Sequence, residues 1–276
     1  MIMKFKDGKS KALTLSYDDG VVQDIRFVKI LDKYGLKATF NVNSGGYAPE
    51  DKERAEFKGR MKLSEAKELF ADSTHEVAIH ALTHPWLNKI KTDEIITEII
   101  EDRRRVEKDY GKIARGMAYP YGAYNDEVID VLKKCGVCYS RTTKATENFE
   151  IPQNWLTLHP TCHHNCPRLM DLAKRFVETP SAKVNGAWLF YLWGHSYEFD
   201  NDDNWETIES FSQYVAGKDD IWYATNIEIY DYVKAYESLQ TSVDKNMIHN
   251  PTKTDVWFSH GGKTHLVKGG ETLYII

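Results

Sequence analysis

The chain has 276 residues, a length that suits one large domain, or one of about 230 residues with an appendage. A formal net charge of −5 argues against a nucleic-acid surface, and no apolar run approaches the roughly 20 residues of a membrane span. The aromatic share is high at 12%, with 7 Trp and 16 Tyr, which suits sugar-binding clefts and packed cores alike. Lysines interrupt the N-terminal stretch where a signal peptide would carry its apolar segment. The expectation is therefore a soluble chain, cytoplasmic as given and secreted only if a signal has been removed, with no nucleic-acid or membrane partner. The oligomeric state is left open.

In chain order, residues 12–17 ("ALTLSY") read as a short strand. Val21, Ile25, Val28 and Leu31 then recur at helical spacing until Gly35. A strand is expected at 37–43, a polar loop at 44–60, a helix near 64–71 and a third strand at 76–80. A long amphipathic helix spans 92–110, with Ile95, Ile96, Ile99 and Val106 inward and "EDRRR" on the wet side. A strand at 115–120 precedes a helix at 126–134, which starts near Asn125 or Asp126 and stops at Gly136. Strands follow at 137–143, 155–161, 187–193 and 221–225, with helices near 168–178, 204–216 and 227–238. The alternation argues for an α/β barrel or an open doubly wound sheet. The expected division is a barrel over 1–238 and a small β-rich extension over 239–276, where polar and apolar residues alternate around two Gly-Gly turns.

Polar residues collect after the strands: Asp18 and Asp19, Asn41 and Asn43, His80 and His84, Tyr121, Arg141, His163 and His164, His195, and Asn226. In a parallel barrel all of these lie on the C-terminal rim, where active sites form. "HALTH" sets two imidazoles at i and i+4, and one carboxylate from "YDDG" would complete three metal ligands with positions left open. The other aspartate is then placed to take a proton from a water on the ion. A divalent cation also makes two adjacent carboxylates tolerable.

These residues resemble the polysaccharide deacetylases, the NodB-homology domains of carbohydrate esterase family four. "LSYDDG" is similar to the first motif, T-F-D-D-G, and "HALTH" to the second, H-[ST]-x-x-H. "YPYG" at 119–122 resembles the end of the third, and "LWGH" at 192–195 fits the last, L-x-x-H. The resemblance covers about residues 10–235. It implies a distorted (β/α)7-8 barrel and metal-dependent removal of N- or O-linked acetyl groups from an acetylated oligo- or polysaccharide. It also implies Asp18 as general base, Asp19, His80 and His84 as metal ligands, Tyr121 as oxyanion donor through its backbone N–H, and His195 as the acid. The cofactor expected is one divalent ion, Zn²⁺ first because two imidazoles and a carboxylate suit it, with Co, Ni or Mn as alternatives.

Two departures stand out. Ala118 occupies the position where the family has the arginine that pairs with the base, and no D-x-x-D-W motif supports the acid. With "CHHNC", they point to an atypical branch, such as the one grouped with gellan-lyase-associated domains. Arg141, at the end of the next strand, is the expected substitute for the missing arginine. Tyr17, Asn43 and Trp86 adjoin the motifs and are candidate sugar contacts. His163 and His164 either line the rim as substrate contacts or hold a loop. Trp188, Trp193 and Trp222 are expected in the core. Cys135, Cys138, Cys162 and Cys166 have a spacing compatible with structural zinc, but Gly136 parts the first pair between a helix end and a strand, so ordinary thiols are expected. The rival functions are a metal-dependent amidohydrolase on a non-sugar amide and a carbohydrate-binding barrel with weak turnover.

Overall fold

The architecture comes from a computed structural model that describes residues 1–57 and 59–275. In order, the elements are β1 (Ile2–Lys4), β2 (Lys11–Asp18), α1 (Asp24–Lys33), β3 (Ala38–Val42), α2 (Leu63–Phe70), β4 (Glu76–Ile79) and α3 (Thr92–Tyr110). Then come β5 (Gly116–Ala118), α4 (Asp126–Lys134), β6 (Tyr139–Arg141), β7 (Cys162–His163), α5 (Leu169–Glu178) and β8 (Trp188–Gly194). They are followed by α6 (Glu198–Asn201), α7 (Trp205–Val215), β9 (Ile221–Tyr223) and α8 (Asn226–Glu237). Five short strands end the chain: β10 (Gln240–Thr241), β11 (Met247–His249), β12 (Val256–His260), β13 (Lys263–Val267) and β14 (Thr272–Tyr274). Local chemistry sets several helix ends. The Asn125 side chain accepts the Val128 N–H at 2.9 Å and starts α4. Gly111, at φ 65°, ends α3 in the left-handed conformation that glycine adopts most cheaply.

Seven parallel strands form a curled half-barrel in the order β6-β5-β4-β3-β2-β8-β7, and β9 joins beside the first residues of β2. This is the distorted barrel that the resemblance implies. The strand expected at 155–161 does not form. Residues Trp155–Thr157 make a 3-10 turn begun by the Asn154 side chain on the Leu156 N–H, and the strand itself is Cys162–His163. Pro160 has no N–H to give a ladder. The irregular stretch still spans the seam between β6 and β7. Leu158 exchanges backbone bonds with Thr142 and Ser140 at 2.9 and 3.0 Å, and the Thr161 N–H reaches the Tyr191 carbonyl at 2.8 Å.

Period-two alternation divides the strands into two faces. Leu13, Leu15, Tyr17, Phe40, Phe190 and Leu192 pack outward against helix residues such as Phe27, Leu172 and Phe211. The alternate positions carry polar groups into the barrel, where they satisfy one another. Thr14 donates to Asn226 at 2.8 Å, Asn226 to the Tyr191 hydroxyl at 2.7 Å, and Thr39 and Tyr139 to Glu76 at 2.8 and 2.7 Å. Leaving any of these unpaired would cost about 1–3 kcal/mol. Gly116 is required here, because a Cβ on it would fall 2.1 Å from the Tyr139 ring.

At the C-terminal end, β12 and β13 form a hairpin around Gly261 and Gly262, both at positive φ. β1 pairs antiparallel with β12, so the first residues of the chain complete the sheet of the last. Val256, Phe258, Val267 and Ile248 bury against Ala235 of α8. None of the four cysteines joins another in a disulfide, and no metal-ligand group among the described residues includes a cysteine.

Candidate active site

β2 carries Asp18 to the top of the barrel interior, where it is buried. Its Oδ1 accepts from Asn41 Nδ2 at 2.9 Å, and its Oδ2 accepts from Arg141 Nη2. Nε2 of His80 and Nε2 of His195 lie 3.8 and 3.9 Å from the same Oδ2. Burial pushes the Asp18 carboxyl up, but Arg141, His80 and His195 together hold it below the usual carboxylate range. Arg141 is the register partner of Ala118 on the adjacent strand, which is how a guanidinium from β6 serves a place that β5 leaves empty.

The chain turns sharply at Asp19, whose φ is 86° and whose N–H donates to the Asn41 carbonyl at 2.9 Å. Ala81, His84 and Tyr121 also have positive φ, at 59°, 61° and 57°. Non-glycine residues in that region cost on the order of 1–3 kcal/mol each, so strain is concentrated at this rim. One potential ligand atom each of Asp19, His80 and His84 lies within 4.8 Å of the others here. The His80 Nδ1 meets the Ala118 carbonyl at 2.7 Å, so Nδ1 carries the proton and Nε2 offers a lone pair to the group. Burial holds His80 neutral, with its pKa pushed down to about 4, and pushes His84 down as well. Asp102 ties the loops behind these side chains. Its two oxygens accept the N–H groups of Ser44 at 2.9 Å and His80 at 3.0 Å, and burial pushes its carboxyl up to about 7.

His195 follows β8, and Glu198 stands one helical turn beyond it. The Glu198 Oε2 accepts the His195 N–H at 3.1 Å and lies 3.3 Å from its Nδ1. Burial lowers the His195 pKa, yet the Glu198 carboxylate beside Nδ1 and the other nearby carboxylates prevail and raise it. The same oxygen lies 3.1 Å from His163 Nε2 and 3.2 Å from His164 Nε2. His163 Nδ1 accepts the Asn165 N–H at 3.1 Å, which places the His163 proton on Nε2. His163 Nε2 therefore turns its N–H toward Glu198, whereas His164 Nε2 lies near the same oxygen without a hydrogen bond among the described residues.

An open cleft of about 640 Å³ fronts the site, lined by Asp19, Arg60, His84, Tyr121 and Tyr197 among others. Asp18, Asp19, His80, His84, Arg141, Tyr121 and His195 therefore converge, with the Tyr121 ring packed edge-on against His84 at 4.4 Å. Three candidate sugar contacts take other places. Tyr17 is on the outward face of β2, wholly buried between Phe27 and Phe199, with its hydroxyl 3.1 Å from His164 Nδ1. His164 is buried behind Glu198. Asn43 is buried and donates to the Ala81 carbonyl at 2.8 Å, so it holds the histidine loop. His163 is half-buried on Glu198. Trp86 is at the rim, stacked on Tyr121 at 4.3 Å with the Lys89 ammonium 4.3 Å from its ring.

Sequence reasoning missed Glu198, Arg60 and Asp102. The i, i+3 spacing of His195 and Glu198 was an available signal. Arg60, which donates to Asp19 Oδ1 at 2.9 Å from a distant loop, had none. Trp193 is buried, as expected of a core residue, and its ring also borders the site beside Arg141, His163 and His195.

Fold and site together define a distorted α/β barrel whose ionisable side chains converge at the C-terminal rim of the sheet. Residues 5–140 match the family described as polysaccharide deacetylase, and the chain belongs to that family. A Staphylococcus aureus poly-beta-1,6-N-acetyl-D-glucosamine N-deacetylase is 30% identical over 115 residues, covering 40% of this chain and 40% of that protein. The Listeria monocytogenes peptidoglycan-N-acetylglucosamine deacetylase PgdA is 28% identical over 123 residues, covering 44% of this chain and 24% of its own. The chain thus spans less than half the length of these curated relatives. A Mycobacterium smegmatis structure assigned to the polysaccharide deacetylases superposes with a TM-score of 0.58 at 15% identity, covering 86% of this chain and 94% of that one, and shares the fold.

Proposed function

We propose that the protein hydrolyses acetyl groups from an N- or O-acetylated carbohydrate, using one divalent ion held by Asp19, His80 and His84. The observation that carries this reading is the single Asp18 oxygen placed between His80 and His195, beside the ligand triad. The triad fits a metal by its chemistry. Two imidazoles are held neutral, the His80 tautomer leaves Nε2 available, and one carboxylate supplies charge. When bound, such an ion polarises the acyl carbonyl and makes water acidic enough to attack at neutral pH.

The chain's own residues carry the protons. Asp18, kept ionised, takes a proton from the attacking water as its oxygen bonds to the acyl carbon. His195, whose pKa the Glu198 carboxylate raises, gives its proton to the departing nitrogen or oxygen as the acyl bond breaks. Asn41 and Arg141 fix the plane of the Asp18 carboxylate from both oxygens. The Tyr121 backbone N–H is assigned to the developing oxyanion. The substrate class follows the names of the relatives, a poly-N-acetylglucosamine N-deacetylase and a peptidoglycan N-acetylglucosamine deacetylase. Zn²⁺ is the first choice of ion.

The test is acetate release by metal-loaded protein from N-acetylglucosamine oligomers and O-acetylated glycans, against small cyclic amides at equal concentration. Turnover confined to the cyclic amides would replace this reading with a non-sugar amidohydrolase.

A further inference from the structure

We propose that Trp193 is a positioning residue for the base, acting through Arg141; the proposal rests on the reading of Asp18 as that base. Arg141 is wholly buried, yet few of its five donors are satisfied. Nη2 donates to Asp18, Nη1 reaches the Thr142 carbonyl at 3.5 Å, and Nε has no partner among the described residues. A guanidinium out of water needs another source of support. The Trp193 indole supplies it, with the guanidinium carbon 4.4 Å from its ring centroid, inside the ~6 Å range of a cation–π contact.

Position 193 is suited to this task. Trp193 comes from β8, in register with Ser16 of β2 and His163 of β7, across the seam from Arg141 on β6. Its Nε1 also has no hydrogen-bond partner among the described residues, so the ring face, not the N–H, is what the tryptophan contributes. The rings of His163 and His195 approach the indole edge-to-face, at centroid distances of 4.5 and 5.8 Å. The indole is thereby set between the group that orients the base and the group that acts as acid. The ion pair and the ring contact together carry a side-chain link from β2 to β6 to β8, across the seam that the backbone closes only through the irregular stretch before β7.

The experiment is a double-mutant cycle on the metal-loaded protein, read by steady-state acetate release. Trp193→Leu should lower kcat about 30-fold, the size of a desolvated cation–π contact, with KM within about twofold. Trp193→Phe, which keeps a smaller ring face, should lose about three- to fivefold. Combined with Arg141→Gln, Trp193→Leu should cost no more than about twofold beyond Arg141→Gln alone, because the cation it supports is gone. If Trp193→Leu does not fold, the same cycle with Trp193→Phe decides: its loss must vanish in the Arg141→Gln background. Losses that multiply, or a Trp193→Leu variant with unchanged kcat, overturn the proposal while leaving the Asp18–Arg141 reading in place. An Arg141→Gln variant with full activity removes that reading and the proposal with it.

Discussion

Replacing Glu198 with Gln removes one charge while keeping an acceptor oxygen and nearly the same volume. The site places that charge 3.3 Å from His195 Nδ1 and 3.1 Å from the His195 N–H, so the acid loses both its orienting anion and its electrostatic support. A hydrogen bond to a charged group is worth about 1.5–3 kcal/mol, and each ~1.4 kcal/mol is tenfold in rate. The expected loss in kcat is therefore about 10- to 100-fold at neutral pH. The pH dependence gives a sharper readout. Glu198 raises the His195 pKa, so the protonated acid is available at low pH and is lost as pH rises through that value. Without the carboxylate the pKa falls, and the alkaline limb of the kcat profile must move to lower pH. The assay is acetate release across the pH range with metal content checked at each point, because loss of the ion would mimic the effect. An alkaline limb that stays in place, with kcat within twofold of the native value, refutes the role given to Glu198.

Three further outcomes follow from the same geometry. His80→Ala and His84→Ala should each lose the divalent ion seen in native protein by elemental analysis, whereas equal metal content in all three would show that the triad is not the metal site. Asp18→Asn should keep its metal but lose at least ~100-fold in turnover, the lower range for a positioned base; a variant of near-native kcat excludes Asp18 as the base. Arg141→Ala should lower turnover, and Arg141→Lys should restore it only in part, because an ammonium lacks the planar fork and stacks less well on Trp193. Full rescue by lysine would mean that charge alone suffices at that position.

Much of the site was legible because its motifs are local. Two carboxylates at a strand end and two imidazoles four residues apart suggest a ligand set when taken together, and strand–helix alternation places them on one rim. Arg141 was within reach for a related reason. Parallel neighbours in a sheet share register, so a side chain at the end of β6 starts beside one at the end of β5. What the sequence could not decide is which way side chains face and what lies across the barrel. Tyr17 and Asp18 are adjacent, and the period of two sends one into the helical core and the other into the site. Residues 155–161 have the composition of a strand, but Asn154 begins a turn and Pro160 withholds an N–H, so an irregular stretch rather than a strand spans the seam there. Arg60 and Trp193 reach Asp19 and Arg141 only because separate parts of the chain close on the same rim. Those contacts depend on packing between segments remote in sequence, which no local pattern encodes, and they hold the first carboxylates of the site in place.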